Sequence, residues 1–148
     1  MSQTTQVYFD DLEEGSEIPP QSKTPSTTQM FLFSAVTRNA HRIHYEKDFA
    51  ASEGLANVLV HGPMQGAMLS AFVTAWMGDR GFLKRFAYTN RGMATPGETL
   101  TFKGRVRKKT EDAGRHAVDL ELTEENARGE VLVLGQAVVH LPARGDPQ

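Results

Sequence analysis

Three of the five histidines, His41, His44 and His61, fall between Phe31 and Trp76. An imidazole moves protons near neutral pH, because its two forms are both populated there. The polar turn Asn39-Ala40-His41-Arg42-Ile43-His44-Tyr45-Glu46 sets two imidazoles beside an amide, a guanidinium, a phenol and a carboxylate. Asn39 is no base, but its amide can orient a water or an imidazole. Downstream, His61-Gly62-Pro63 opens a long apolar segment. A glycine there lets a ligand approach the backbone closely. An amide at a helix N-terminus can also donate to an oxygen that gains negative charge.

Each of these residues has a plainer reading. A lone histidine is more often structural than catalytic, and the company of Asn39 and His61-Gly62 is what favours proton transfer by His44. His61 is as suited to orienting the loop as to touching a substrate. A zinc site built from His41, His44 and His61 lacks a clear fourth ligand, so no metal is expected. His116 and His140 lie in or beside strand-like stretches and read as structural. Arg42, Arg91 and the run Arg105-Val106-Arg107-Lys108-Lys109 could bind phosphates, but a solvated strand face accounts for such a run equally well.

Composition narrows the field. The 148 residues suit one domain, 1–148, with a real core. A formal net charge of -2 gives no reason to expect nucleic-acid binding. The absence of cysteine excludes disulfides, thiol catalysis and Cys-ligated zinc. The start, Met1-Ser2-Gln3-Thr4-Thr5-Gln6, is polar and expected to fray, and without an apolar run it points to the cytoplasm.

The elements that must position these groups follow from periodicity. Met64 to Met77 mixes Leu69, Phe72, Val73 and Trp76 with the small residues Gly66, Ala67, Ser70, Ala71 and Ala75. Nearly every face is apolar or small, which predicts a helix buried on all sides. It is too short, and too interrupted by Gln65 and Ser70, to span a membrane. Pro63 suits its first position. Ser26 and Gln29 have capping-box spacing before a helix over 27–38, and 46–52 reads as a shorter helix stopped by Gly54. Val7-Tyr8-Phe9 reads as a short strand or extended arm, and Pro19, Pro20 and Pro25 keep the next stretch extended. Strands are predicted over 82–91, 99–109, 117–123 and 131–141, with turns at Ala113-Gly114 and 126–129. Within them Leu100, Phe102, Gly104 and Val106 alternate with Thr101, Lys103, Arg105 and Arg107. The last three make an antiparallel meander, which one helix can cover only if the sheet curls round it.

The run from Phe33 to Ala50, with its Asn39-Ala40-His41-Arg42-Ile43-His44-Tyr45 centre, resembles the hydratase signature of MaoC-like dehydratases, the (R)-specific enoyl-CoA hydratases. The likeness is greatest to the hydroxyacyl-thioester dehydratase type 2 branch. Val60-His61-Gly62-Pro63-Met64 resembles the family's second motif, Ala94 to Leu100 its Pro-Gly-acid turn, and Tyr8 to Gly15 its N-terminal arm. The resemblance implies an α+β hot-dog fold, a curled antiparallel sheet around one long helix. It also implies an acyl-CoA hydratase or dehydratase that adds or removes water across the 2,3 double bond of an enoyl thioester.

The family pairs an aspartate with a histidine five positions later. Here His44 falls on the histidine and Asn39 on the aspartate, while His41 falls where the wider family has asparagine. The reaction needs a base for water, a proton for the α-carbon and stabilisation of the enolate oxygen. By resemblance His44 and Asn39 are the catalytic candidates, with Glu46 and Asp48 as local carboxylates that His44 could borrow. Gly62 is the donor to the thioester oxygen, and His61, Arg42 and Tyr45 are substrate-binding candidates. No cofactor is implied. A homodimer or higher homo-oligomer with sites at the interface is implied, or an assembly with a related hot-dog subunit. Two rivals follow. One is a hot-dog thioesterase, disfavoured because the central helix has no acidic residue before Asp79. The other is a non-catalytic acyl-CoA-binding subunit that completes a partner's site, which the Asn39 departure favours.

Overall fold

The computed structural model describes residues 6–112 and 114–147. Their order is set by one sheet and the helix it holds. The strands are β1 (Glu17–Lys23), β2 (Phe82–Asn90), β3 (Leu100–Asp112), β4 (Arg115–Glu125) and β5 (Val131–His140). The described strands form one five-stranded sheet in the order β1-β3-β4-β5-β2, with every pairing antiparallel. The helices are α1 (Thr27–Thr37), α2 (Lys47–Ser52) and α3 (Gly62–Met77). This curled sheet with one long helix against it is a hot-dog fold.

The alternation read from the sequence is what separates the faces. Leu100, Phe102 and Val106 on β3 and Val118, Leu120 and Leu122 on β4 are buried against Leu69, Phe72 and Val73 of α3. Gly104 lies in the same row, where Ile18 and Leu122 fill the space a side chain would take. The capping box at Ser26 is present in full: Gln29 N–H donates to Ser26 Oγ at 3.2 Å and Ser26 N–H to Gln29 Oε1 at 2.9 Å.

Four expectations change. The proline-rich stretch is not merely extended: it is the edge strand β1, paired with β3 through a register shift between Ile18 and Gln21 where the prolines cannot donate. For Val7-Tyr8-Phe9 the strand alternative falls and the arm stands: Val7 and Tyr8 join no strand, Tyr8 is extended, and a single 3₁₀ turn follows at Phe9–Asp11. Gln6 is not frayed. Its amide donates to Met77 O at 2.8 Å and accepts Arg80 N–H at 2.9 Å, closing off the end of α3. Residues 1–5 and Ala113 lie outside the described residues.

The fourth change concerns α3. It begins at Gly62, so Pro63 takes the second position. The helix is not covered on all sides within one chain. Met64, Gln65, Gly66, Leu69, Phe72, Val73 and Met77 are buried, whereas Pro63, Ala67, Ala71, Thr74 and Ala75 form an exposed stripe of small residues.

The approach of β2 to α3 depends on two glycines. A Cβ on Gly62 would lie 2.9 Å from Asn90 Oδ1, and a Cβ on Gly66 would overlap the Tyr88 ring. Gly62 and Gly66 are one helical turn apart, about 6 Å. Asn90 and Tyr88 are two strand residues apart, about 6.6 Å. The matched spacing seats the two side chains in the two gaps. Gly66→Val should therefore destabilise the fold by about 1–3 kcal/mol through overpacking. Urea denaturation checks this, and Tyr88→Ala in the same chain should recover part of the loss.

Candidate active site

The turn between α1 and α2 is held from several directions. Helix α1 ends at Arg38, which adopts left-handed φ of 55°, and Asn39 N–H then closes the turn on Ser34 O at 3.0 Å. Tyr45 Oη donates to Ala40 O at 2.8 Å. Leu59 N–H donates to Ile43 O at 3.0 Å and Val60 N–H to Ala94 O at 2.8 Å. These bonds press the segment 55–60 against the turn and deliver His61 to the start of α3.

The result is a stacked pair of imidazoles. The His44 and His61 rings lie 3.7 Å apart between centroids at 21°. His44 Nδ1 is 2.8 Å from Leu59 O. A carbonyl oxygen only accepts, so Nδ1 carries the proton and Nε2 of neutral His44 is left with its lone pair. His61 is fully buried, and its Nε2 shares a 2.8 Å hydrogen bond with Ser34 Oγ. Burial, and secondarily the neighbouring His44, pushes the His61 pKa down to about 4. His61 is thus a neutral plate behind His44. Stacked rings point their nitrogen lone pairs outward in parallel planes, an arrangement unsuited to one shared metal.

Gly62 follows directly, and among the described residues its N–H has no protein acceptor. Such an orphan amide at the positive end of a helix is a donor available to a ligand oxygen. His44 and Tyr45 also line a groove of about 330 Å³ with Thr27, Thr28, Phe31 and Val58.

The other sequence candidates have other occupations. Asn39 Oδ1 accepts His41 N–H at 3.3 Å, and among the described contacts its side chain does not reach His44. His41 caps the next 3₁₀ turn, its Nδ1 accepting Ile43 N–H at 3.4 Å. Arg42 gives Nε and Nη2 to Glu46 Oε2 at 2.8 and 2.6 Å and lies 4.4 Å over the Phe49 ring. It braces the turn, and Glu46 is thereby engaged away from His44. The Tyr45 hydroxyl is spent on Ala40. In the basic run, Arg105 Nε donates to Gly15 O and Lys109 Nζ to Leu12 O, tying the N-terminal arm to β3. Arg107 pairs with Glu121, and His116 stacks on Phe9 at 4.7 Å.

One cluster was not foreseen. Gln65 Nε2 donates to Glu124 Oε1 at 2.6 Å, and Asn90 Nδ2 donates to Gln65 Oε1 at 3.2 Å. Glu124 is fully buried, and among the described residues its Oε2 has no hydrogen-bond partner. The only sequence signal was Gln65, a polar residue inside an apolar helix pattern.

With this geometry in view, the sequence matches the family described as hydroxyacyl-thioester dehydratase type 2 over residues 5–96. The chain belongs to that family. It is 28% identical over 148 residues to the (R)-specific enoyl-CoA hydratase of Rhodospirillum rubrum, covering 93% of this chain and 94% of that one. It is 40% identical over 60 residues to mesaconyl-C(4)-CoA hydratase of Chloroflexus aurantiacus, a match that spans 36% of this chain and 21% of that protein. The fold is similar to that of R-hydratase PhaJ1 from Pseudomonas aeruginosa in its unliganded form. The TM-score is 0.85 at 21% identity, with 94% of this chain and 88% of that one covered.

The two buried titratable groups act on stability in different pH windows. His61 has a folded pKa near 4 against an ordinary 6.5, so the unfolded chain binds more protons and stability falls as pH drops from 6.5 toward 4. Burial raises the Glu124 pKa above its ordinary 4.5, outweighing the opposing bond from Gln65. The folded chain then holds the proton longer, and stability falls as pH rises from 4.5 through the folded value. Urea midpoints measured across pH should lose the acid limb in His61→Asn and the alkaline-going slope in Glu124→Gln.

Proposed function

We propose that the protein is an acyl-CoA hydratase or dehydratase, adding or removing water across the 2,3 double bond of an enoyl thioester. The observation that carries this reading is the free Nε2 of His44, oriented by Leu59 O and backed by neutral His61, beside the unpaired amide of Gly62. The acyl-CoA names of the relatives above fit it.

In hydration, His44 Nε2 takes a proton from water as the water oxygen bonds the β-carbon. The double-bond electrons move to the thioester oxygen, which Gly62 N–H and the α3 N-terminus stabilise as an enolate. The proton on Nε2 then passes to the α-carbon and the carbonyl re-forms. Glu46 is not the carboxylate that His44 borrows, since Arg42 holds it. Asn39 shapes the turn through His41 and can turn its amide to the incoming water.

The working unit is a dimer, and this too is a proposal. Among the described strands β2 is last in the sheet, nine residues long, with Phe82 and Tyr88 exposed. An unprotected edge of that length invites another strand. The opposite edge, β1, is blocked by Pro19 and Pro20. Phe31, Leu32 and Val36 of α1 and the small-residue stripe of α3 add apolar surface for a second copy. Asn39 in place of an aspartate favours one further reading, in which a related subunit completes the site.

Purified protein assayed with a panel of enoyl-CoA esters, following loss of enoyl-thioester absorbance, tests the reading. His44→Ala should lower the rate by a factor on the order of a hundred or more while the fold is kept. Release of free CoA without hydration would favour a thioesterase. A homodimer that hydrates none of the esters would favour the complementing-subunit reading.

A further inference from the structure

The cluster of Glu124, Gln65 and Asn90 has no part in the chemistry above, yet it ends at Gly62. Across the sheet, Asn90 of β2 pairs with Val133 of β5, and Val133 pairs with Glu124 of β4. The three positions form one row, with Asn90 and Glu124 two strands apart, about 10 Å. Gln65 of α3 spans that distance, with one end of its amide on each.

The amide directions form one consistent chain. Glu124 Oε1 accepts a hydrogen bond from Gln65 Nε2, and Gln65 presents Oε1 to Asn90. Asn90 must then turn Nδ2 toward Gln65, which leaves Oδ1 against Gly62. There Oδ1 lies 2.9 Å from the point a Cβ on Gly62 would occupy. The neighbouring side chains are fixed as well, with Tyr88 seated on Gly66.

We infer that Asn90 is a positioning residue for the reaction: oriented through Gln65 by the buried carboxyl of Glu124, it fixes the Gly62 peptide that binds the thioester oxygen. The inference rests on the hydratase reading above. It explains why polar groups are kept at a place where the sheet and helix are otherwise apolar. A buried carboxyl with one oxygen left without a hydrogen bond among the described residues is costly, which makes a role in orienting the chain the reason for keeping it. It also gives Gly62 a reason beyond substrate access, since any side chain would displace Asn90.

The test uses Asn90→Ala, at an exposed strand end where the loss of an amide leaves the core packing intact. Hydration of crotonyl-CoA should fall in kcat by about tenfold, less than direct loss of an oxyanion donor would cost, and KM should rise, because the thioester oxygen is held less firmly in the bound substrate as well. The deciding readout is carbonyl-dependent binding. Butyryl-CoA and its thioether analogue butyl-CoA differ in the thioester oxygen alone. Wild type should bind the thioester more tightly, and Asn90→Ala should remove most of that preference while leaving butyl-CoA affinity unchanged. Glu124→Gln, which keeps an acceptor for Gln65, should behave like wild type, and Glu124→Leu like Asn90→Ala. An active wild type whose Asn90→Ala variant keeps both kcat and the carbonyl preference overturns the positioning role alone. Equal loss of affinity for both ligands would show general damage to the site and overturn it too. A wild type that hydrates no enoyl-CoA and binds both ligands alike overturns the hydratase reading together with this inference.

Discussion

The close seat of β2 on α3 is the constraint from which the site follows. Helices and sheets usually stand apart by the depth of their side chains. Here Gly62 and Gly66 remove that depth at two successive turns, and Asn90 and Tyr88 take the space. The N-terminus of α3 is thereby held at one end of the sheet, while Gln6 holds the other end of the helix through Met77 O. A helix anchored at both ends can present a fixed amide at Gly62. The same approach leaves the far face of α3 lined with alanines rather than large apolar groups.

Around that fixed point the turn carrying His44 is built mostly from backbone bonds. Ile43 O, Leu59 O, Ala40 O and Ala94 O each take a hydrogen from a neighbouring segment. Side chains that look like chemistry in isolation serve here as braces. Arg42 grips Glu46 and covers Phe49, and Tyr45 ties its hydroxyl to Ala40. The consequence is one imidazole with a defined tautomer and a free nitrogen at the rim of a groove, its ring backed by a second imidazole that burial keeps uncharged.

What the sequence made legible was set by how local each signal is. The period-two rows of β3 and β4 and the capping box at Ser26 are local patterns, and they appear as read. The proximity of His44 and His61 was implied by two motifs, but the stacking geometry depends on Leu59 O and Ser34, which no spacing rule picks out. Strand β1 was obscured because its prolines suppress the alternation that marks a strand, and only its edge position tolerates them. The exposed stripe on α3 was hidden by composition: small residues score as neither buried nor wet. Glu124 was illegible because it sits in an acidic run, Glu121 to Glu125, where one carboxylate among several looks solvated. Its burial is decided by Gln65, 59 residues away in sequence.

The charge balance of the site gives Asn39 a meaning. In the proposed hydration the acting groups start neutral: His44 with its proton on Nδ1, His61 held uncharged by burial, and the Gly62 amide, with the Asn39 amide on the same turn. Taking a proton from water makes an imidazolium while the substrate gains an enolate, so the step separates charge without creating a net one. The enolate faces the positive end of α3, and the imidazolium faces His61, which carries no opposing charge. On that reading a carboxylate at position 39 would favour the imidazolium but repel the enolate. An amide there trades basicity for neutrality. In the proposed mechanism the Gly62 N–H is the donor that meets the new negative charge, so its aim rests on the geometry of α3 and its contact with β2.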